Sequence, residues 1–416
     1  MKVVVLGAGL AGLTTAWYLA TDGHEVEVVE RETAVASLAS FANGGIIAAS
    51  RAFPWPGPQM KPVFLKAFFR NDQALRVRLR IDPEFWAWGL KFLANCGAAR
   101  YAQILEAKMR LVRYSQECLD ALVRAQGIDY GRLQNGVLYV HRSEAALEAG
   151  WKRAQSAIAR GLPVERLDAT QLAALEPALA ARAADLSGAL HAPQDEAGDS
   201  ARFCRELESR LRQKGARFHL GCEVTGLNTV GTDVRSVVTT QGAIPGDAFV
   251  CALGVMPGGL RRQFGAPLPV YPVKGYSMTL PLARPERAPA HAGIDEGRLM
   301  SWCPTAEGLR VTGGAEFAGH ARTHRPADFQ RLADVTENLF PGAVDAARAE
   351  TRVCQRPMTP ESTPRFGAGR FENLFFNVGL GHMGWAMAAG AGRISADLVA
   401  GRSAAIDLEG LRIREA

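Results

Sequence analysis

Three glycines near the N-terminus constrain the fold of this chain more than any other feature. They are Gly7, Gly9 and Gly12, in the stretch VVVLGAGLAGLTTAWYLATDGHEVEVVE. A continuous apolar run precedes them, a helical spacing of apolar residues follows, and the alternating segment EVEVVE comes next. This order of strand, glycine turn, helix and strand is the context that a dinucleotide-binding unit requires. It predicts an α/β fold built on a Rossmann-like parallel sheet.

Each glycine has a separate physical role in such a unit. Gly7 makes the tight turn, Gly9 lets a pyrophosphate approach the backbone, and Gly12 lets the helix pack against the strand. The N-terminus of the helix adds free N–H groups and a positive dipole potential. Glu30 ends the second strand, where its carboxylate can accept from both ribose hydroxyls and would repel a 2′-phosphate. These residues predict FAD or NAD rather than NADP.

The bulk composition argues against several other classes of protein. Of the 416 residues, 48% are hydrophobic and 22% are charged, as in soluble globular proteins. The net charge is +6 without a long run of Lys and Arg, so we expect no nucleic-acid partner. The seven cysteines include no Cys-x-x-Cys pair and the eight histidines no His-Glu-x-x-His motif. We therefore expect neither disulfides nor a metal site.

The N-terminus and the apolar runs predict a cytoplasmic protein. The first apolar run passes directly into the second strand and lacks a convincing signal-peptide cleavage site. No segment offers about 20 uninterrupted apolar residues, so we expect no membrane-spanning helix.

The order of the elements predicts a chain that leaves the nucleotide-binding domain twice and returns twice. Residues 1–54, 194–262 and 351–416 are expected to build that domain, the last of them with a glycine loop and a closing helix. Residues 55–193 are mostly helical in period, and residues 263–350 indicate strands separated by Pro and Gly. We expect these two ranges to form a discontinuous α+β substrate domain.

Five motifs, taken in chain order, resemble one flavoprotein family. They are the opening triplet with Glu30, SFANGG at 40–45, YPVKGYS at 271–277, QRPMTPE at 355–361 and GLGHMGW at 379–385. The chain resembles the FAD-dependent D-amino-acid dehydrogenases (small-subunit type), within the glycine oxidase and D-amino-acid oxidase group. The resemblance covers most of the chain. It implies FAD, a glutathione-reductase-type nucleotide domain and an antiparallel sheet in the substrate domain.

The resemblance implies that FAD lies extended between the two ends of the chain. Its adenosine half would lie at the opening turn, and its flavin at the second loop and at the loop Gly379–Gly384. The implied cofactor-binding residues are Gly7, Gly9, Leu10, Ala11, Gly12, Glu30, Arg31, Ser40, Asn43, Gly44, Gly45, Ile46, Val224, Ala252, Leu253, Gly254, Gly379, Leu380, Gly381, His382, Met383 and Gly384.

The implied reaction is the oxidative deamination of a D-amino acid. A hydride passes from the α carbon to flavin N5, and the imino acid hydrolyses to a 2-oxo acid and ammonia. Arg356 matches the family's carboxylate-binding arginine, whose guanidinium forms a bidentate fork. Tyr276 and Lys274 are candidates for lining the substrate pocket, and His382 for contacting the flavin or the substrate amine.

Two residues depart from the family pattern. Cys354 stands where a glycine is common, and in the related sarcosine oxidases a cysteine at this place bonds covalently to the flavin. The other interpretation of Cys354 is a buried, inert thiol. Arg51 replaces a small residue after the second loop, which leaves the shape of the pocket open. Cyclic secondary amines such as D-proline or hydroxyproline therefore stay among the alternative substrates.

The electron acceptor implied by the resemblance is a quinone or the respiratory chain. In residues 60–93, aromatic side chains alternate with basic ones, which suits an anionic membrane surface and equally a core helix pair with a solvated basic face. Peripheral association with the inner face of the membrane is therefore a hypothesis. The residues concerned are Phe64, Leu65, Phe68, Phe69, Trp86 and Trp88 with Lys61, Lys66, Arg70, Arg76, Arg78 and Arg80.

Three other functions stay open on the sequence alone. The first is a glycine, sarcosine or proline-type oxidase or dehydrogenase. The second is an NAD-dependent dehydrogenase, which would have no use for the GLGHMGW loop. The third is a non-catalytic subunit of a larger flavoprotein complex.

Overall fold

A computed structural model describes residues 1–60, 62, 75–78, 80–265 and 268–413. Its helices are α1 (Leu10–Thr21), α2 (Pro83–Ala94), α3 (Ala98–Gln126), α4 (Glu144–Ile158), α5 (Ala169–Leu175), α6 (Ser200–Gln213), α7 (Gly258–Gln263), α8 (Gln330–Leu339) and α9 (Gly384–Val399). Short 3₁₀ segments cover Pro177–Asp185, Pro285–Arg287, Pro326–Asp328, Ala346–Arg348 and Gly381–Met383.

The strands alternate with these helices in the first half of the chain and dominate the second half. They are β1 (Lys2–Leu6), β2 (Glu25–Val29), β3 (Ile46–Ile47), β4 (Leu75–Val77), β5 (Val137–His141), β6 (Glu165–Leu167), β7 (Gly188–Ala192), β8 (Glu196–Ala197), β9 (Arg217–His219), β10 (Val224–Val230), β11 (Asp233–Thr239), β12 (Gly242–Pro245), β13 (Ala248–Cys251), β14 (Tyr271–Leu280), β15 (Ala292–Asp295), β16 (Met300–Thr305), β17 (Gly308–Phe317), β18 (Glu350–Met358), β19 (Arg365–Ala368) and β20 (Leu374–Val378).

The opening strand lies inside a six-stranded sheet with the order β19–β20–β13–β1–β2–β9. β1 pairs in parallel with both neighbours, so that Val4 lies opposite Glu27 and Phe249. Val3 and Val5 point to the helices α1, α6 and α9, whereas Val4 packs against the antiparallel sheet β10–β11–β12. Both faces of β1 are therefore covered, which explains its uninterrupted apolar sequence.

The first and last helices of the chain pack on each other against this sheet. Thr14 of α1 donates a hydrogen bond from its hydroxyl to the carbonyl of Ala388 in α9, at 2.8 Å. An added Cβ at Gly392 would lie 2.6 Å from the Thr14 backbone, so the close approach requires glycine there. Because β1 and β20 both run parallel to β13, the opening glycine turn and the loop Gly379–Gly384 lie at the same edge of the sheet.

A larger, mostly antiparallel sheet forms the other part of the molecule. Its order is β18–β14–β17–β16–β15–β5–β7–β6, and β4 pairs with β17. The pairs β15–β5 and β17–β4 are parallel. One face packs on α8 through Leu332, Val335 and Leu339. The predicted α/β class, with a second part that carries antiparallel strands, is confirmed.

The position of β18 corrects one predicted boundary. Residues from 351 onward were expected to belong to the nucleotide-binding domain. However, β18 pairs antiparallel with β14 from Tyr271 to Thr279, so this strand belongs to the larger sheet. The chain returns to the six-stranded sheet only at β19. Strand pairing between residues so far apart in sequence leaves no local signal, which is why the sequence did not indicate it.

Candidate active site

A cavity of about 840 Å³ is lined by residues of both large sheets. Its lining includes Gly7, Gly9, Leu10, Ala11, Glu30, Arg31, Ser40, Asn43, Gly44, Gly45, Ile46, Val224, Ala252, Leu253, Gly254, Gly379, Leu380, Gly381, His382, Met383 and Gly384. The structure thus brings the predicted cofactor residues together, with Gly12 as the exception. Their contacts with FAD stay a prediction.

Gly12 acts through packing rather than by facing the cavity. An added Cβ at this position would lie 1.8 Å from the carbonyl oxygen of Gly7. The turn at Gly7 has φ +105°, which favours glycine. The nearest atom to an added Cβ at Gly9 is instead the Ser40 hydroxyl oxygen, at 2.9 Å. Gly9 itself lines the cavity, as a phosphate site requires.

Two side chains organise the backbone at this turn. Glu30 accepts hydrogen bonds from the N–H of Ala8 at 2.8 Å and of Glu32 at 3.0 Å, one on each carboxylate oxygen. Ser40 accepts from the N–H of Leu10 at 3.0 Å through its hydroxyl. Each Glu30 oxygen has a further lone pair, and Glu30 lines the cavity. The residues therefore fit the adenosine half of an extended dinucleotide.

Arg356 lies across the cavity face of the larger sheet. Its guanidinium passes over Gly275, where an added Cβ would lie 2.5 Å from Cζ. Nη1 donates to the carbonyl of Gly314 at 2.7 Å, and among the described residues Nη2 has no hydrogen-bond partner. Because a bidentate fork needs free N–H groups, this arrangement fits the predicted carboxylate clamp.

His382 forms part of the cavity wall beside this arginine. Its ring stacks on Trp55, with ring centroids 5.1 Å apart. Burial, together with the positive charges of Lys108 and Arg356, holds the pKa of His382 well below its usual range. The imidazole is therefore neutral at neutral pH and offers one donor and one acceptor to a ligand.

Lys108 is a buried cation behind His382 that the sequence reasoning missed. Its ammonium donates to the carbonyl of Phe53 at 3.1 Å and contacts the Ser362 hydroxyl at 3.4 Å. Burial lowers the pKa of Lys108 to about 7. A signal existed, because Lys108 lies four residues after Ile104 and so falls on the apolar stripe of α3.

Tyr276 and Lys274 correct the sequence prediction, because neither lines the cavity. The Tyr276 hydroxyl donates to the Glu316 carboxylate, and the Lys274 ammonium lies 3.7 Å from the same group and donates to the Thr323 carbonyl. Alternation along β14 directs these two side chains to one face of the sheet, whereas the cavity lies on the face of Gly275. The sequence shows the alternation but not which face meets the cavity.

Cys354 lies on the same face of β18 as Arg356 and lines the cavity. It is buried, at 5% exposure. The structure therefore places Cys354 at the cavity wall, and both interpretations of this cysteine stay predictions.

The basic and aromatic stretch is described only in part. Lys61, Phe64, Leu65, Lys66, Phe68, Phe69 and Arg70 lie outside the described residues. Trp88 is a core residue whose indole donates to the Met358 carbonyl at 2.9 Å. Arg78 pairs with Glu316, and Arg80 donates to the Ala318 carbonyl. Trp86 is 48% exposed. This stretch therefore combines a buried side with an exposed one.

Among the described residues we find neither a membrane-spanning helix nor a cluster of metal ligands. None of the described helices has the length and apolar character needed to cross a bilayer. Within the same ranges, no group of three or more His, Cys, Asp and Glu side chains is placed to hold a metal ion.

Known proteins resemble this chain over nearly its full length. D-amino acid dehydrogenase 2 of Mesorhizobium japonicum is 42% identical over 412 residues, which is 99% of each chain. D-amino acid dehydrogenase of Paramagnetospirillum magneticum is 41% identical over 99% of this chain and 98% of its own. The crystal structure of glycine oxidase from Geobacillus kaustophilus has a TM-score of 0.74 at 21% identity, covering 100% of this chain and 99% of its own, and so shares the fold. The family model for FAD dependent oxidoreductases (DAO) matches residues 2–398, and the chain therefore belongs to the DAO family of FAD-dependent oxidoreductases.

Proposed function

We propose that the chain is a D-amino-acid dehydrogenase that converts a D-amino acid to an imino acid, which hydrolyses to a 2-oxo acid and ammonia. The observation that carries the proposal is the free edge of the Arg356 guanidinium in a cavity shared with the FAD-binding turn. The names of the most similar relatives support the same substrate class.

The proposal assigns the residues of the cavity to separate tasks in this reaction. Gly7, Gly9, Glu30, Ser40 and the loop Gly379–Gly384 would hold FAD, which supplies the two-electron acceptor when it is bound. Arg356 would bind the substrate carboxylate and so decide which face of the α carbon meets the cofactor. This selection of a face is the physical origin of a preference for one enantiomer.

His382 would contact the amine of the substrate. A protonated amine carries no lone pair, so oxidation at the α carbon requires the neutral form. The neutral imidazole of His382 can accept a hydrogen bond from that amine, and a ring without a positive charge does not repel the ammonium form in which the substrate arrives. Trp55 holds the ring orientation by stacking.

The test is anaerobic mixing of the purified yellow protein with single amino acids. We expect D-alanine and other D-amino acids to bleach the visible absorbance of the oxidised flavin and to yield the 2-oxo acid. L-amino acids serve as the matched control. Bleaching by glycine, sarcosine or D-proline in place of primary D-amino acids would assign the alternative amine-oxidising function. A protein that binds no flavin after reconstitution would exclude the proposal.

The state of Cys354 is read from the same preparation. Denaturation should release the yellow colour if FAD is held without a covalent bond. Colour that stays with the denatured chain, and is lost in Cys354→Ser, would assign the covalent interpretation.

We further propose that the acceptor is a membrane quinone, reached by peripheral association with an anionic bilayer. The exposed apolar side chains Ile81, Trp86 and Leu90 are 100%, 48% and 69% exposed, and the exposed Lys91 adjoins them on α2. An apolar edge with basic neighbours suits an anionic surface.

Vesicle flotation tests this association. We expect the protein to float with vesicles that contain anionic phospholipid and to sink with neutral ones, and Trp86→Ser with Leu90→Ser to abolish flotation. Val230→Ser, at an exposed apolar site elsewhere (63% exposed), is the matched control. A protein that sinks with both vesicle types would remove the membrane proposal and leave the oxidation chemistry untouched.

A further inference from the structure

Arg51 brings a second guanidinium to the cavity without a complete set of partners. It lines the cavity, and its side chain is 11% exposed. Its Nη2 atom lies 3.2 Å from the Glu296 carboxylate, and its Cζ lies 4.0 Å from the centroid of the Tyr139 ring. Within the described ranges, the buried Nη2 forms no hydrogen bond. Buried donors normally have acceptors, and here Glu296 supplies an ion pair without hydrogen-bond geometry, so the protein satisfies the guanidinium that lines the cavity only in part.

Asp195 holds both neighbours of this guanidinium in place. Its carboxylate accepts hydrogen bonds from the Ser50 N–H at 3.1 Å, from the Ser50 hydroxyl and from the Tyr139 hydroxyl at 2.7 Å. Ser50 precedes Arg51 in the chain, and the Tyr139 ring lies against the guanidinium. Asp195 is 1% exposed, so its charge is directed into these three bonds. The cation is therefore pre-organised, as a binding site requires.

The charged side chains that face this part of the cavity are mostly positive. Arg51, Arg153 and Glu296 line it, which gives two positive groups for one negative group at the cavity surface, whereas the Asp195 carboxylate behind Arg51 does not line it and already accepts three hydrogen bonds. Glu296 lies between the arginines, with its second oxygen 4.0 Å from Arg153. Arg153 is 44% exposed, so the cavity meets solvent here and a charged group can enter while hydrated.

Arg51 lies on the substrate side of the cavity. Its partner Tyr139 belongs to β5 of the larger sheet, and its partner Glu296 directly follows β15 of the same sheet. Four residues further on, Trp55 stacks on His382. An extended chain over that separation spans at most about 14 Å. Arg51, Trp55, His382 and Arg356 all line the same cavity.

We propose that Arg51 binds a carboxylate at the far end of the substrate side chain, so that D-amino acids with acidic side chains are preferred substrates. The inference rests on the proposed function, in which Arg356 holds the α-carboxylate. An apolar replacement of Arg51 would remove the positive charge. Replacing Glu296 by a neutral residue would instead release Arg51 from its only described ion pair.

The experiment compares each acid with its own amide. We measure kcat/KM for D-glutamate and D-glutamine, and for D-aspartate and D-asparagine, in the wild-type holoenzyme and three variants. We expect the acid-to-amide ratio to exceed one in at least one pair and to fall by about tenfold or more in Arg51→Met, because one charge-assisted contact is lost. The ratio should rise in Glu296→Gln. Arg166→Met, an arginine outside the cavity that pairs with Glu144 and Glu148, should leave it unchanged.

The outcomes separate this inference from the proposed function. A ratio of one or less in both pairs, or a ratio that Arg51→Met does not change, would overturn the role of Arg51 while the amides are still oxidised. If Arg51→Met fails to fold, Glu296→Gln supplies the test. An acid-to-amide ratio that this variant leaves unchanged or lowers would equally overturn the role of Arg51. No oxidation of acids, amides or D-alanine by the flavin-loaded protein would instead overturn the proposed function.

Discussion

The Arg356 guanidinium donates from Nη1 to the Gly314 carbonyl and presents its other side to the cavity. A lysine at this position retains the charge but cannot form a fork. We expect Arg356→Lys to raise the KM for D-alanine by about 10- to 100-fold, since one charge-assisted hydrogen bond is worth about 1.5–3 kcal/mol. FAD content, measured by absorbance, should not change. An unchanged KM would place the carboxylate elsewhere in the cavity.

The burial of Lys108 makes the free energy of unfolding depend on pH. Burial lowers the pKa of Lys108 from 10.5 to about 7. Below pH 7 the folded chain carries the full cost of the buried charge. Between about pH 7 and 10.5 the unfolded chain binds more protons than the folded one, so the free energy of unfolding rises with pH across that window.

We therefore expect Lys108→Met to stabilise the protein most at pH 6. Its advantage over wild type should shrink between pH 7 and 9, by up to about 1.4 kcal/mol per pH unit. Denaturant unfolding at pH 6, 8 and 9 measures the difference. Lys152→Met, at an exposed site, should give a difference that does not vary with pH. Parallel pH profiles for wild type and Lys108→Met would contradict the buried-cation account.

At the scale of one strand, Gly275 decides whether Arg356 can lie flat on the sheet. The three atoms nearest to an added Cβ at Gly275 belong to the far end of the flexible Arg356 side chain, at 2.5 to 2.8 Å. We expect Gly275→Ala to fold and to bind FAD, with a raised KM for D-alanine because the guanidinium is displaced. Steady-state kinetics and thermal unfolding check both parts. Gly259→Ala, where an added Cβ meets nothing within 4 Å, should change neither.

At the scale of the opening β1–α1 unit, two glycines should respond differently to alanine. At Gly12 the added Cβ meets the Gly7 backbone at 1.8 Å, whereas at Gly9 it meets the Ser40 hydroxyl at 2.9 Å. A backbone clash separates α1 from β1, and a side-chain clash does not. We expect Gly12→Ala to lose thermal stability and Gly9→Ala to stay folded but to lose FAD. A fully flavinated Gly9→Ala would contradict the phosphate role of this turn.

What the sequence predicted well were the elements whose context is local. The opening unit is one continuous stretch in which Gly7 and Glu30 lie at the two strand ends, and the loop Gly379–Gly384 joins a buried strand directly to a helix. In both places the turn chemistry and the apolar pattern are within a few residues of each other. Local physics therefore sufficed for the opening turn and Glu30, whereas the rest of the predicted lining was implied by the family resemblance.

What the sequence could not predict were choices made by distant partners. The alternation along β14 places Tyr276 and Lys274 on one face of the strand. Which face of β14 meets the cavity depends on its pairing with β17 and β18. The pairing of β18 with β14 likewise depends on residues about 80 positions apart, since Cys354 lies opposite Gly275. Lys108 was readable as a polar residue on an apolar stripe, yet its closeness to His382 follows only from packing.

The whole molecule is organised around a cavity that its two large sheets share. Residues from the six-stranded sheet, such as Gly7, and from the larger sheet, such as Arg356, line the same space. A ligand that contacts both parts stabilises their arrangement together, because it binds the folded chain and not the unfolded one. The cofactor is therefore expected to act as a structural link as well as a reactant.

This coupling predicts how FAD changes thermal unfolding. At FAD concentrations 100 times Kd the folded state gains about 2.7 kcal/mol, which for a chain of 416 residues corresponds to about 3 °C in Tm. We expect one cooperative transition that shifts as a whole, measured by calorimetry on apoprotein with and without FAD. ADP, which can fill only the adenosine end, should give a smaller shift at equal concentration because it makes fewer contacts and binds with a higher Kd. Two transitions, of which FAD moves one, would instead show that the sheets unfold independently and that the cavity is a contact between domains rather than the centre of one folding unit.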